Sequence, residues 1–289
     1  MRVRLAGRAL LAVPLVTVLA AVAPQQQKTA LVTVVAEAGG PMTNLTAKDF
    51  VVREDRATRE VVGAELSADP LYIALLVDTT QPPMGVQPPT QDLRRALSSF
   101  VKIIKGASPT AQISMMEFAG AAVTTVDFTA DAAPIDGNIQ RIFPNRQADA
   151  VLVEAMVEAG KKLSDKPTPR RAIVSVDFNS PDTSADRTMR QAAENIRKAG
   201  ATVWAISIRG AALSASNREE VLNVVTRASG GQRLSGVEAT GLEPMFKSVA
   251  NSLLSQYTVT FTRPGNAEVK LTQMETSKGG KVLMTPWMK

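Results

Sequence analysis

Apolar positions along the chain change their spacing several times, and each change marks an element. Residues 31–36 (LVTVVA) form a β-branched run that reads as a strand. Gly39-Gly40-Pro41 turns the chain, and Thr46-Ala47-Lys48-Asp49 has the form of a capping box opening a short helical turn. Residues 50–53 (FVVR) and 60–66 read as a second and a third strand. Strands this few, with turn chemistry between them, make a β unit that does not close a core alone.

The period then shifts. Residues 71–77 (LYIALLV) are almost wholly apolar and end at Asp78, as in parallel strands buried on both faces. After the proline-rich stretch 82–89 (PPMGVQPP), Thr90 is placed to cap a helix running to about Lys105. Its inward face is Leu93, Ala96, Leu97, Phe100, Val101 and Ile104. Residues 112–118 and 122–128 read as two strands joined by a tight Ala-Gly turn, hence antiparallel. Helical periodicity covers 149–163, and Pro167 and Pro169 end that region. A buried strand follows at 171–176 (RAIVSV), ending at Asp177. An amphipathic helix at 184–199 is closed by Gly200 as its C′ residue. The pattern continues with a strand at 202–208 (TVWAISI), a helix at 216–228 stopped by Gly230-Gly231, and a short strand at 232–234. A last helix covers 241–255, and the tail returns to strands at 257–262, 268–273 and 281–284.

Strands alternating with helices of this length call for a parallel sheet covered on both faces. The expected class is α/β, a doubly wound, mostly parallel sheet. Its domain, 70–256, is inserted into a small β-domain built from the flanks 30–68 and 257–289.

Composition narrows the chemistry. The chain has 289 residues, with 45% apolar and 21% charged, an ordinary globular balance. It has no cysteine and no histidine, which removes disulfides, thiolate chemistry and every Ser-His or Cys-His nucleophile system. Any metal must then be held by oxygen, which favours Mg²⁺, Ca²⁺ or Mn²⁺ over Zn²⁺. At the N-terminus, Arg2, Arg4 and Arg8 precede an apolar stretch that ends in Ala20, Ala21 and Ala23. This is the layout of a secretory signal peptide, assigned to 1–23, and the apolar run is too short for a spanning helix. Export to the periplasm or beyond is expected, with no membrane span after cleavage. Without those three arginines the formal charge of +6 falls to +3. That is a weak footprint for nucleic acid or an anionic membrane, so neither is expected as a partner.

In an open parallel sheet, ligands bind outside the carboxyl ends of the strands. Asp78 and Asp177 both sit there. Two carboxylates converging at such an edge suit a hard divalent cation. They equally suit the capping of the turns that follow, and position alone does not decide between these roles.

The segments 32–55 (VTVVAEAGGPMTNLTAKDFVVRED), 70–80 (PLYIALLVDTT), 170–184 (RRAIVSVDFNSPDTS), 197–207 (RKAGATVWAIS) and 253–261 (LLSQYTVTF) follow one another in a specific order and spacing. Together they resemble the von Willebrand factor A (VWA) domain, and in particular a bacterial family of exported VWFA-related proteins, over nearly all of the mature chain. The resemblance implies a metal-ion-dependent adhesion site (MIDAS) formed by D-x-S-x-S on a first loop, a Thr on a second and an Asp on a third. Asp78 matches the first Asp and Thr80 the first hydroxyl, while Pro82 stands at the second Ser without an oxygen side chain. The second loop reads ADAVLVEA (148–155), which puts Ala150 on the Thr position; Asp177 matches the third-loop Asp. The site is therefore expected to be degenerate, holding Mg²⁺ or Mn²⁺ weakly at most, with Asp149 as a substitute carboxylate beside Asp78, Thr80 and Asp177.

Other motifs carry less. Ser99-x-x-Lys102 lacks the partners that penicillin-recognising enzymes need, and no phosphate-binding glycine loop occurs. Trp204 reads as core, and Met115 and Met116 as packing on opposite faces of one strand. The expected function is a non-enzymatic, adhesion-type module that binds a protein or other extracellular ligand through the Asp78 edge, with Gln81, Phe178 and Asn179 as contacts. The alternative is a structural subunit of a cell-envelope assembly with no metal dependence.

Overall fold

The computed structural model describes residues 25–81, 89–145, 148–178, 180–208, 217–265 and 268–288. The expected leader at 1–23, most of the proline-rich loop and Asn179 lie outside the described residues.

Six strands form the central sheet: β5 (Tyr72–Val77), β6 (Gln112–Ala119), β7 (Ala121–Thr129), β8 (Arg171–Asp177), β9 (Thr202–Ile208) and β10 (Arg233–Gly236). They lie in the order β10-β9-β8-β5-β6-β7. All neighbours are parallel except β6 and β7, the expected hairpin. Helices cover both faces. On one side lie α1 (Thr90–Ala107), α2 (Ala132–Ile139) and α6 (Leu242–Leu254), packed on Ile73, Leu75 and Val77. On the other lie α3 (Leu152–Ser164), α4 (Asp186–Ala199) and α5 (Asn217–Ala228), packed on Ala74 and Leu76. Successive β5 side chains thus enter opposite cores, which is why that strand is apolar throughout. Met115 and Met116 divide between the same two cores. The buried face of α1 is the set read from the 3.6-residue period: Leu93, Ala96, Leu97, Phe100, Val101 and Ile104. Gly200 closes α4 at φ +58°, as its C′ position requires.

The flanks pair with each other, into two antiparallel sheets. Their strands are β1 (Gln25–Val35), β2 (Phe50–Glu54), β3 (Ala57–Arg59), β4 (Val61–Leu66), β11 (Tyr257–Pro264), β12 (Thr272–Thr276) and β13 (Lys281–Met288). The larger sheet runs β13-β1-β11-β4 and the smaller β12-β2-β3. A third core lies between them, with Val32, Phe50, Val52, Tyr257, Val259 and Phe261 buried. Glu54, fully buried, is clamped by Arg59 and Arg263 and ties the two sheets. The other face of β1 meets α6: the Thr33 hydroxyl donates to the Ser252 carbonyl at 3.4 Å.

Several boundaries differ from the sequence reading. The expected strand 60–66 begins at Val61 as β4, which pairs with β11, and the short β3 before it pairs with β2 instead. The expected strand 268–273 begins only at Thr272, since the Asp55 carboxylate accepts the backbone N–H groups of Lys270 and Leu271. Thr90 does not cap α1; it is the first helical residue, after Pro89. The helix expected from 149 begins at Leu152, because Ala150 instead bridges Ala119 and Asp182. Helix α2 was not legible at all: AAPIDGNI carries Pro134 and Gly137, and its apolar anchors are only Ile135 and Ile139. Among the described residues no helix is long and apolar enough to cross a membrane.

Candidate functional site

The register of the central sheet brings the ends of β5, β8 and β9 level. Val77 lies beside Val176, and Asp177 beside Ser207. Asp78 follows directly, its N–H donating to the Val176 carbonyl at 3.0 Å. Its side chain is enclosed. Oδ1 accepts from the Thr80 N–H at 2.9 Å and from the Thr80 hydroxyl, and Oδ2 accepts from the Phe178 N–H at 3.1 Å. The Thr80 and Ser180 hydroxyls are hydrogen-bonded to each other. Burial outweighs these donors and pushes the Asp78 carboxyl up to about 6. The cleft beside it, lined by Thr80, Pro89, Pro144 and Phe178 among others, encloses about 10 Å³, room for no more than a single water.

Asp177 is equally buried, and Oδ2 accepts the Ser207 hydroxyl at 2.7 Å. Facing it is Arg218, from the first turn of α5, with a side chain only 1% exposed. Its Nη2 donates to the Ser180 carbonyl at 2.6 Å and lies 3.9 Å from Asp177 Oδ1. Nη1 lies 3.8 Å from Asp182 Oδ2. The same charge lowers the Asp78 carboxyl, against its burial. Asp182 in turn accepts the N–H groups of Leu152 and Ser184, so it binds the start of α3 to the loop after β8. At the rim, Arg233 grips Glu219 with two bonds of 2.9 Å and donates to Ser207.

A strap closes the near side. Thr80 and Asn145 form a parallel bridge; the Asn145 N–H donates to the Thr79 carbonyl at 2.6 Å and the Gln81 N–H to the Asn145 carbonyl at 3.1 Å. The strap carries Phe143, 70% exposed, over whose ring the Arg94 guanidinium sits at 4.8 Å from the centroid.

No family profile matches the chain, and no curated protein sequence matches it either. Solved structures do. A von Willebrand factor type A protein from Catenulispora acidiphila superposes with a TM-score of 0.51 at 12% identity, over 90% of this chain and 72% of that one. The α/β unit has the von Willebrand factor A fold. The proximal thread matrix protein 1 of the mussel byssus, in a form with a zinc-occupied MIDAS motif, superposes with a TM-score of 0.51 at 14% identity. That match covers 70% of this chain and about half, 49%, of that one.

The VWA fold places Asp78, Thr80 and Asp177 at one edge, but their surroundings do not fit a divalent ion. Asp78 and Thr80 are bonded to each other and to neighbours, Ala150 offers no donor, and a buried guanidinium faces Asp177. Among the described residues no group of three or more acidic side chains is arranged to hold a metal. This donor set departs from the oxygen cluster that the motif implies for Mg²⁺ or Mn²⁺: Ala150 stands at one hydroxyl position and a guanidinium faces Asp177. Asp149 does not join it: the residue is exposed, and its carbonyl accepts from the Gly120 N–H. Phe178, expected as a partner contact, is 7% exposed because its ring belongs to the core under α1 and α6. Gln81 is half-buried at the strap.

Sequence reasoning missed Arg218, Asp182 and Phe143. Asp182 was within reach, five residues past Asp177 in the matched third-loop segment. Arg218 carried no signal, since Asn-Arg-Glu-Glu reads as the solvated first turn of a helix.

Proposed function

We propose that this chain is an exported, non-enzymatic binding module that engages a protein through the edge of its VWA fold around Phe143. The observation that carries this reading is Phe143 itself. A large aromatic ring left exposed at the ligand-binding end of a parallel sheet, and held there by Arg94, is the kind of anchor that supplies much of an interface's binding energy. Gln81 lies on the adjoining strand of the strap. Export rests on the basic and apolar pattern of residues 1–23.

The experiment is capture of envelope proteins on immobilised mature chain, comparing Phe143→Ala with Leu271→Ala, which alters an exposed apolar residue in the flanking β unit. Phe143→Ala is expected to weaken the captured complex at least about tenfold. Equal binding by both variants would sink the reading. The scaffold reading has its own support in β4, an edge strand with Val62 and Leu66 exposed. It predicts that Val62→Lys with Leu66→Lys abolishes capture while Phe143→Ala leaves it intact.

A further inference from the structure

We infer that Arg218 is a resident cation, built into the chain in place of the divalent metal that this edge of the VWA fold otherwise takes. The guanidinium is buried among the carboxylates of Asp177 and Asp182 and the carbonyl of Ser180, and its charge reaches Asp78. A cation at this edge neutralises converging carboxylates and joins the loops that carry them. Arg218 does both. Through Ser180 and Asp177 it holds the loop after β8; through Asp182, which accepts the Leu152 N–H, it reaches the start of α3; and it does so from the first turn of α5.

Two further observations point the same way. Ala150 and Pro82 stand where the motif calls for hydroxyl donors, which a guanidinium does not need because it brings donors of its own. Nε and Nη1 of Arg218 have no hydrogen-bond partner among the described residues although both are buried. The guanidinium is therefore held in place as a charge more than as a satisfied fork of hydrogen bonds. It keeps the edge assembled irrespective of the divalent ions in the medium. This assignment does not depend on whether the edge binds a partner.

The test is Mn²⁺ binding followed by electron paramagnetic resonance, on the mature chain and its Arg218→Ala and Arg218→Lys variants. The wild type and Arg218→Lys are expected to show no saturable binding up to about 1 mM, the weak end of natural divalent sites. Their melting temperatures are expected to be the same in chelator and in Mn²⁺. Arg218→Ala is expected to gain one saturable site at least about tenfold tighter than any in the wild type, or, if it unfolds in chelator, to refold when Mn²⁺ is added. Saturable binding by the wild type that is lost in Asp78→Asn overturns the inference. So does an Arg218→Ala chain that neither binds Mn²⁺ nor is rescued by it.

Discussion

Arg170 is predicted to be the clasp between the central domain and its flanks. It sits one residue before β8, with a side chain that is almost fully buried. Its Nη1 donates to the Ser67 and Asp69 carbonyls at 3.0 and 2.8 Å, in the link from β4 to β5. Its Nη2 donates to the Leu253 carbonyl at 2.8 Å, and Nε to the Gln256 side chain at 3.4 Å, where α6 passes into β11. One guanidinium thus holds both points at which the chain crosses between the two units. Hydrogen bonds from a charged donor contribute about 1.5–3 kcal/mol each, net of desolvation. The acceptors at Ser67 and Asp69 can rewet, because that link is partly exposed, whereas the Leu253 carbonyl stays dry. Counting Leu253 in full and the other two at reduced weight, Arg170→Met should lose about 3–4 kcal/mol while keeping most of the stem packing. Arg170→Lys should recover part of this, since an ammonium does not fork to three carbonyls. The assay is urea unfolding in a Trp287→Phe background, so that fluorescence reports Trp204 in β9, alongside circular dichroism. The wild type should unfold in one transition by both probes, and Arg170→Met should separate them. A loss under about 1 kcal/mol would refute the reasoning, because the cost of burying the charge would then cancel its hydrogen bonds.

Two other predictions concern the edge and the helix stop. Asp78 is held at about 6 against an ordinary 3.8, so the folded state binds its proton more tightly than the unfolded chain does. The group therefore favours folding below pH ~4, and that contribution fades as pH rises through about 6, by about 3 kcal/mol in all. Denaturation of the wild type and Asp78→Asn between pH ~4 and ~7 should show the variant gaining that amount relative to the wild type; a difference constant with pH would contradict it. At the end of α5, a Cβ on Gly231 would lie 1.9 Å from the Val203 carbonyl oxygen, and β9 is central enough that it has nowhere to move. Gly231→Ala should cost about 3 kcal/mol or more. A melting temperature within about 2 °C of the wild type would show that the strand gives way.

What could be read in advance, and what could not, follows from how far each interaction reaches along the chain. The α1 face, the apolar β5 and the β6–β7 hairpin are written in local periodicity, and they emerge as read. Asp78 and Asp177 are each the terminus of such a run, so their meeting at one edge follows once the strands are parallel and adjacent. Helix α2 was hidden because tertiary burial of Ile135 and Ile139, with Asp131 capping its first turn, overrides a poor local propensity. The division of the flanks into two sheets depends on partners about two hundred residues apart, such as Glu54 with Arg263, and no short window contains them.

Arg218 is the sharper instance, because the missing donors were legible and their replacement was not. Pro82 and Ala150 announce a weakened metal site once the chain is set against the motif that its resemblance to the VWA domain implies. That loss leaves two possibilities: an edge with uncompensated carboxylates, or an edge whose charge is met from elsewhere. Uncompensated buried carboxylates are costly enough that a stable fold favours the second. The compensating charge need not come from the motif's own loops; any element whose end points at the strand termini can supply it. Helix α5 follows β9, so its first turn starts at that edge, and Arg218 needs only its length to reach Asp177 and Asp182. A degenerate oxygen site at the end of a parallel sheet is therefore a reason to search the helix starts that face it for a buried arginine.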